Sequence, residues 1–171
     1  MSCTEIIKFD KKGESSLAGK VKNGIRGSFA VWNYLSHKYL GRQFSIFGKP
    51  SEQEEVWSLF EDDRLSEDEK IILGTTFDYV LIKKEDIPRV IEAFSALDEK
   101  EVGRVVKEWR ENPIEISLPE QIEILKNLLA DEDCIAIGWH QTNVSCDMWY
   151  DYNCVTGNEH WYLFDELKNE S

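Results

Sequence analysis

The sequence predicts an α+β fold: a mixed, mostly antiparallel sheet of four or five strands with a C-terminal β-meander, packed by about five or six helices. Three observations predict it. Short runs with apolar alternation or β-branched residues occur near both ends of the chain and once in the middle. Between them lie longer segments with apolar residues at helical spacing. Three of these segments open with one signature, Ser51…Glu54, Ser66…Glu69 and Ser117…Glu120. In this S-x-x-E capping box the hydroxyl and the carboxylate each take a backbone N–H that the first helical turn leaves orphaned.

In chain order, "TEIIKF" (4–9) reads as a strand. The stretch "DKKGESSLAGKVKNGIRG" (10–27) is polar, basic and glycine-containing, and reads as a long loop of the kind that carries function. "SFAVWNYLSHKYL" (28–40) places Phe29, Trp32, Leu35 and Tyr39 near helical spacing, with Ser28 as N-cap. The Ser51 helix presents Val56, Trp57, Leu59 and Phe60, and the Ser66 helix is short, ending near Gly74. "FDYVLIKK" (77–84) reads as a strand, and "EDIPRVIEAFSAL" (85–97) as a helix with Pro88 in its first turn. A further helix over 98–112 carries Val102, Val105, Val106 and Trp109, and the Ser117 helix carries Ile122, Ile124, Leu125, Leu128 and Leu129. "CIAIGWH" (134–140) reads as a strand.

The C-terminal part supplies the meander. Residues 147–155 alternate between Met148, Tyr150, Tyr152, Cys154 and Asp147, Trp149, Asp151, Asn153, the pattern of a half-buried strand. Gly157-Asn158 suits a two-residue turn, and "HWYLF" (160–164) is the expected return strand. This register gathers Ile135, Ile137, Trp139, Met148, Tyr150, Tyr152, Cys154, Trp161 and Leu163 on one face. Trp149, Asp151, Asn153, His160 and Tyr162, beside the small Ala136 and Gly138, fall on the other. Trp and Tyr among polar groups are common interface anchors, so Trp149, Asp151, His160 and Tyr162 are candidate partner contacts.

The chain has 171 residues, 42% of them hydrophobic, which suits a single α+β domain over 1–171 with its own core. No apolar run is long enough to span a bilayer, and no export signal is evident. Four cysteines, at 3, 134, 146 and 154, are then expected as reduced thiols in a cytoplasmic protein. The formal net charge of −13 is uneven. Residues 1–50 carry a net +6, and residues 51–69 carry nine acids against Arg64 alone. Part of that acidity is architectural, because acids in first turns are favoured by the helix dipole. The remainder favours basic partners and disfavours direct contact with nucleic acid or anionic membrane. Glu61, Asp62 and Asp63 are its centre and the second set of candidate partner contacts.

Chemistry finds weaker support. The spacing Cys134-x5-His140-x5-Cys146-x7-Cys154-x5-His160 lacks the close ligand pairs of a zinc site. On one strand, Cys146 and Cys154 would stand roughly 26 Å apart. No cofactor motif or metal site is predicted. Cys146, His140 and Asp147 form the one nucleophile–base–acid grouping the chain suggests, and an enzyme built on them is the alternative to a binding protein. The basic loop 19–28 supplies a second alternative: Lys20, Lys22 and Arg26 with the helix start at Ser28 could hold an anion or phosphate. It lacks the Lys-Ser/Thr step of a nucleotide-binding loop. The leading expectation is a small acidic cytoplasmic protein acting by protein–protein contact. It would be a non-catalytic inhibitor or regulator of a basic, nucleic-acid-handling partner, of the immunity type or a mobile-element-encoded inhibitor.

Overall fold

β1 (Cys3–Phe9) is an interior strand because both of its faces are apolar: Ile6, Ile7 and Phe9 are each fully buried. A computed structural model describes residues 3–22, 28–42, 50–97, 118–142 and 160–169. Within them β2 (Ser15–Lys22), β3 (Val80–Lys83), β4 (Ala136–Thr142) and β5 (Trp161–Tyr162) complete a sheet of order β2-β1-β4-β3-β5. The pairs β1–β2, β1–β4 and β3–β4 are antiparallel, and β3–β5 is parallel. Six helices accompany the sheet among the described residues: α1 (Ser28–Leu35), α2 (Pro50–Ser58), α3 (Glu67–Gly74), α4 (Ile87–Ala96), α5 (Pro119–Ala130) and α6 (Leu163–Asn169). The fold is α+β with a mixed sheet.

Alternation sorts the strands into two packing layers. Ile6, Val80, Ile82, Ile137 and Trp139 join residues from all the helices, among them Trp32, Val56, Ile71, Phe94, Leu125 and Leu163, in the main core. Ile7, Phe9, Leu81 and Ala136 form a second cluster on the reverse side, with Tyr79, Ile135 and Tyr162 against it. Each fully buried aliphatic or aromatic side chain contributes on the order of 1.5–3 kcal/mol. The two-sided burial of the central strands therefore fixes their place in the sheet.

Four sequence expectations change. Residues 10–27 are not all loop, because Ser15–Lys22 pairs with β1 along its length. The chain reverses at Asp10–Glu14, where the Asp10 carboxylate accepts the N–H groups of Lys12 (2.8 Å) and Glu14 (3.0 Å). Gly13 there takes φ 78°, a conformation glycine adopts without strain. As an edge strand β2 buries only Val21 among its side chains, and Leu17 stays 52% exposed, so it lacks the apolar signature of a core strand. The strand expected over 77–84 is confined to Val80–Lys83.

The expected return strand 160–164 stops after Trp161–Tyr162 and continues as α6. It pairs with β3, which lies between it and β4, so no C-terminal meander is seen among the described residues. The strand expected over 147–155, its Gly157-Asn158 turn, the 98–112 helix and Ser117 lie outside the described residues. Finally, Ile135 packs with the second cluster and not with Ile137 and Trp139. It precedes β4, so the strand's alternation does not govern it.

The Ser66 capping box is complete: the Glu69 N–H donates to Ser66 Oγ (3.2 Å) and the Ser66 N–H to Glu69 Oε2 (2.9 Å). At the other end of α3, a Cβ added to Gly74 would overlap the buried Leu163 side chain at the start of α6. Gly74→Ala is therefore expected to destabilise the protein by ~1–3 kcal/mol, the usual cost of overpacking, as urea unfolding followed by circular dichroism will show.

Candidate functional site

After Leu35 the helical chain continues through a wider π-type turn, Ser36–Leu40, and ends at Gly41 with φ 66°. Such turns often mark functional positions. This one brings Lys38 and Tyr39 to the first turn of α3. Lys38 Nζ donates to Glu69 Oε1 (2.7 Å) and to Tyr34 Oη (3.1 Å), and Tyr39 Oη donates to Glu69 Oε2 (2.5 Å). With the Ser66 N–H, the Glu69 carboxylate accepts three hydrogen bonds while the residue is only 8% exposed. Lys38 Nζ also lies 5.4 Å from the ring centres of both Tyr34 and Tyr39.

These contacts fix the protonation states of the cluster. Burial alone would raise the Glu69 pKa, but hydrogen bonds from Lys38, Tyr39 and Ser66 hold it below the usual carboxylate value. Burial works against the Lys38 ammonium, yet its bonds to Glu69 and Tyr34 raise its pKa. The Tyr39 phenol is pushed up to about 12 by burial and by its bond to Glu69. At neutral pH none of the three changes its proton, so the cluster is a clamp and not an acid–base pair.

The clamp supports the loop 62–66 at the start of α3. Arg64 forks onto Asp62 with Nε at 3.0 Å and Nη2 at 2.6 Å, and its N–H also donates to Asp62 Oδ1 (2.9 Å). Hydrogen bonds from the Arg64 side chain and backbone pull the Asp62 pKa down to about 2. The Arg64 guanidinium lies 5.5 Å from the Tyr39 ring centre, which ties the loop back to the clamp. Glu61 and Asp63 are exposed and have no ion-pair partner among the described residues. Two grooves flank this loop. One, of about 570 Å³, is lined by Tyr34, Lys38, Tyr39, Asp63 and Arg64. The other, of about 590 Å³, runs between Asp63, Leu65, Asp86 and the α6 residues Phe164 and Leu167.

The structure thus brings Glu61, Asp62 and Asp63 to one ridge but gives them different roles, with Asp62 spent on Arg64. The anion-binding candidates are not drawn together. Strand register sets Lys20 opposite Glu5 and Lys22 opposite Cys3, whereas Ser28 contacts Thr4 on the other side of β1. The Ser28 N–H donates to Thr4 Oγ1 (3.0 Å), so this donor at the start of α1 is already satisfied. Arg26 lies outside the described residues.

His160 and Tyr162 lie with the second apolar cluster. His160 meets the Phe9 and Tyr79 rings edge-on at 5.8 and 5.9 Å, and Lys83 Nζ sits 5.0 Å from the Tyr162 ring centre. Trp149 and Asp151 lie outside the described residues, as do Cys146 and Asp147. His140, buried, stands opposite Glu5 in the β1–β4 register, with Nδ1 3.4 Å from Glu5 Oε2. Cys134 is buried, and burial raises its thiol pKa. Among the described residues no three His, Cys, Asp or Glu side chains converge as metal ligands.

Tyr34 and Lys38 were not singled out by the sequence, and Tyr39 and Glu69 were read only as a core residue and a capping residue. The available signal was the polar hydroxyl of Tyr39 and the neighbouring Lys38 in the last turn before Gly41. Comparison with protein-family models, with curated proteins and with solved structures gives no match.

Glu69→Gln removes the ion pair and weakens the cap. A loss of ~1–3 kcal/mol is expected at neutral pH, toward the lower end because Lys38 is partly solvated. Glu69 has a depressed folded pKa, so its contribution is present above the ordinary carboxylate range and fades as pH falls through the folded value. The wild-type advantage should accordingly persist from about pH 5 to 9 and shrink toward pH 3 in urea unfolding series.

Proposed function

We propose that this is a non-catalytic cytoplasmic interaction protein that inhibits or regulates a basic partner, engaging it through the acidic ridge 61–63. One observation carries the reading. The sole cation of segment 51–69, Arg64, is consumed by Asp62, while the neighbouring Glu61 and Asp63 face solvent with no cation partner among the described residues. The loop is also held in place by the Tyr39–Glu69 clamp, so little ordering cost attends binding. A strongly negative surface accelerates encounter with a positive one and repels nucleic acid itself. A nucleic-acid-handling protein has the required charge, since its own ligand is a polyanion. The buried Cys134 thiol suits a reducing compartment. No helix among the described residues is long and apolar enough to cross a membrane.

The test is capture from host extract with immobilised wild-type protein and with Glu61→Gln/Asp63→Asn, which leaves the Asp62–Arg64 fork intact. Basic proteins should be retained by wild type at low salt, released as salt rises, and reduced at least ~10-fold on the double variant. The same proteins retained equally by both baits would overturn the reading.

A further inference from the structure

The outer edge of β2 is open. No strand pairs with it among the described residues, and Ser16, Leu17, Ala18, Lys20 and Lys22 are exposed. The register against β1 slips by one residue: Ile6 faces Gly19 and Ile7 faces Leu17, so Ala18 is a bulge between them. The direction of the β1 backbone decides which β2 groups reach the edge. The Phe9 carbonyl accepts the Ile135 N–H (2.9 Å) just before β4, so Phe9, Ile7, Glu5 and Cys3 turn their backbone groups toward β4. Their β2 partners, Ser15, Leu17, Lys20 and Lys22, therefore turn theirs away from β1, to the open edge. The same four residues share the face of the sheet to which Ile7 and Phe9 belong. The other face of β2 is occupied: Gly19 lies against Ile124 of α5, and Val21 is buried.

The edge positions 15, 17, 20 and 22 are spaced by two, three and two residues, a series that is the same in both directions. A regular strand, spaced by two throughout, matches one half of this edge and falls out of step beyond the bulge. A strand with the same bulge, running antiparallel, stays in step along the whole edge. We propose that β2 pairs antiparallel with β2 of a second copy of this chain, about a two-fold axis between Ala18 and Gly19. Ser15 then faces Lys22 of the second copy and Leu17 faces its Lys20, so no lysine is set opposite a lysine. Leu17, 52% exposed, is covered by the Lys20 stem of the second copy. Charge permits the approach, because the hairpin Cys3–Lys22 carries five lysines and three acids within a chain of net charge −13. The pairing does not depend on what the acidic ridge binds, and it joins two ridges in one particle.

Sedimentation velocity of the full chain, from ~1 to ~500 µM, tests the pairing, with a reversible dimer expected as concentration rises. Leu17→Pro removes an N–H that points to the edge and donates nothing to β1, so the dimer Kd should rise at least ~10-fold. Leu17→Lys sets a lysine against Lys20 twice in each dimer and should raise the Kd at least ~3-fold. Leu17→Glu sets a carboxylate there and should lower it at least ~3-fold. Circular dichroism checks that each variant keeps the fold; if Leu17→Pro does not, the lysine and glutamate variants at this exposed position decide alone. A chain that stays monomeric throughout, a dimer indifferent to a folded Leu17→Pro, or equal responses to Leu17→Lys and Leu17→Glu would overturn the pairing. None of these results touches the acidic ridge, which the Glu61→Gln/Asp63→Asn capture judges separately.

Discussion

Glu69 holds together three things that would otherwise be independent. Its carboxylate closes the N-terminus of α3 through the Ser66 N–H, receives the Lys38 ammonium and receives the Tyr39 hydroxyl. An ionised carboxylate this deeply buried would be costly alone; three donors make it favourable, and two of them come from the π-type turn after α1. Through Tyr39 and the Arg64 stacking on it, the same group sets the position of the loop on which Glu61 and Asp63 stand. The acidic ridge is therefore positioned by a half-buried ion pair, and its geometry is inherited from the helix junction.

The distribution of charge follows from this arrangement. Acids in the α3 first turn serve the helix: Glu69 is capped and paired, and Glu67 and Asp68 hold Arg89 of α4. Asp62 serves the loop by fixing Arg64. What is left over, Glu61 and Asp63, is the part of the acidity that internal architecture does not explain. It is this remainder that the proposed reading assigns to the partner.

Much of the fold was legible because it rests on strong local signals. The Ser66…Glu69 capping box, Pro88 in the first turn of α4 and the apolar runs of β1 and β4 all read directly as elements. β2 was hidden because an edge strand needs little apolar side chain; its signal lay in Asp10 and Gly13, which build the turn before it. The switch from Tyr162 to α6 was hidden for another reason. "WYLF" has the composition of a strand, whereas the first-turn acids Asp165 and Glu166 suit a helix and Leu163 at its start packs against Gly74. The acidic ridge was visible as composition, but the clamp was not, since it joins Lys38 to Glu69 across 31 residues. No local pattern encodes such a pairing.

Hydrogen–deuterium exchange of the full chain, alone and saturated with its captured basic partner, tests the central claim most directly. A preorganised ridge predicts added protection in residues 61–66, with little change in the β2 edge strand Ser15–Lys22. Protection confined to the β2 edge or the 19–28 segment, with none on the ridge, would contradict the account.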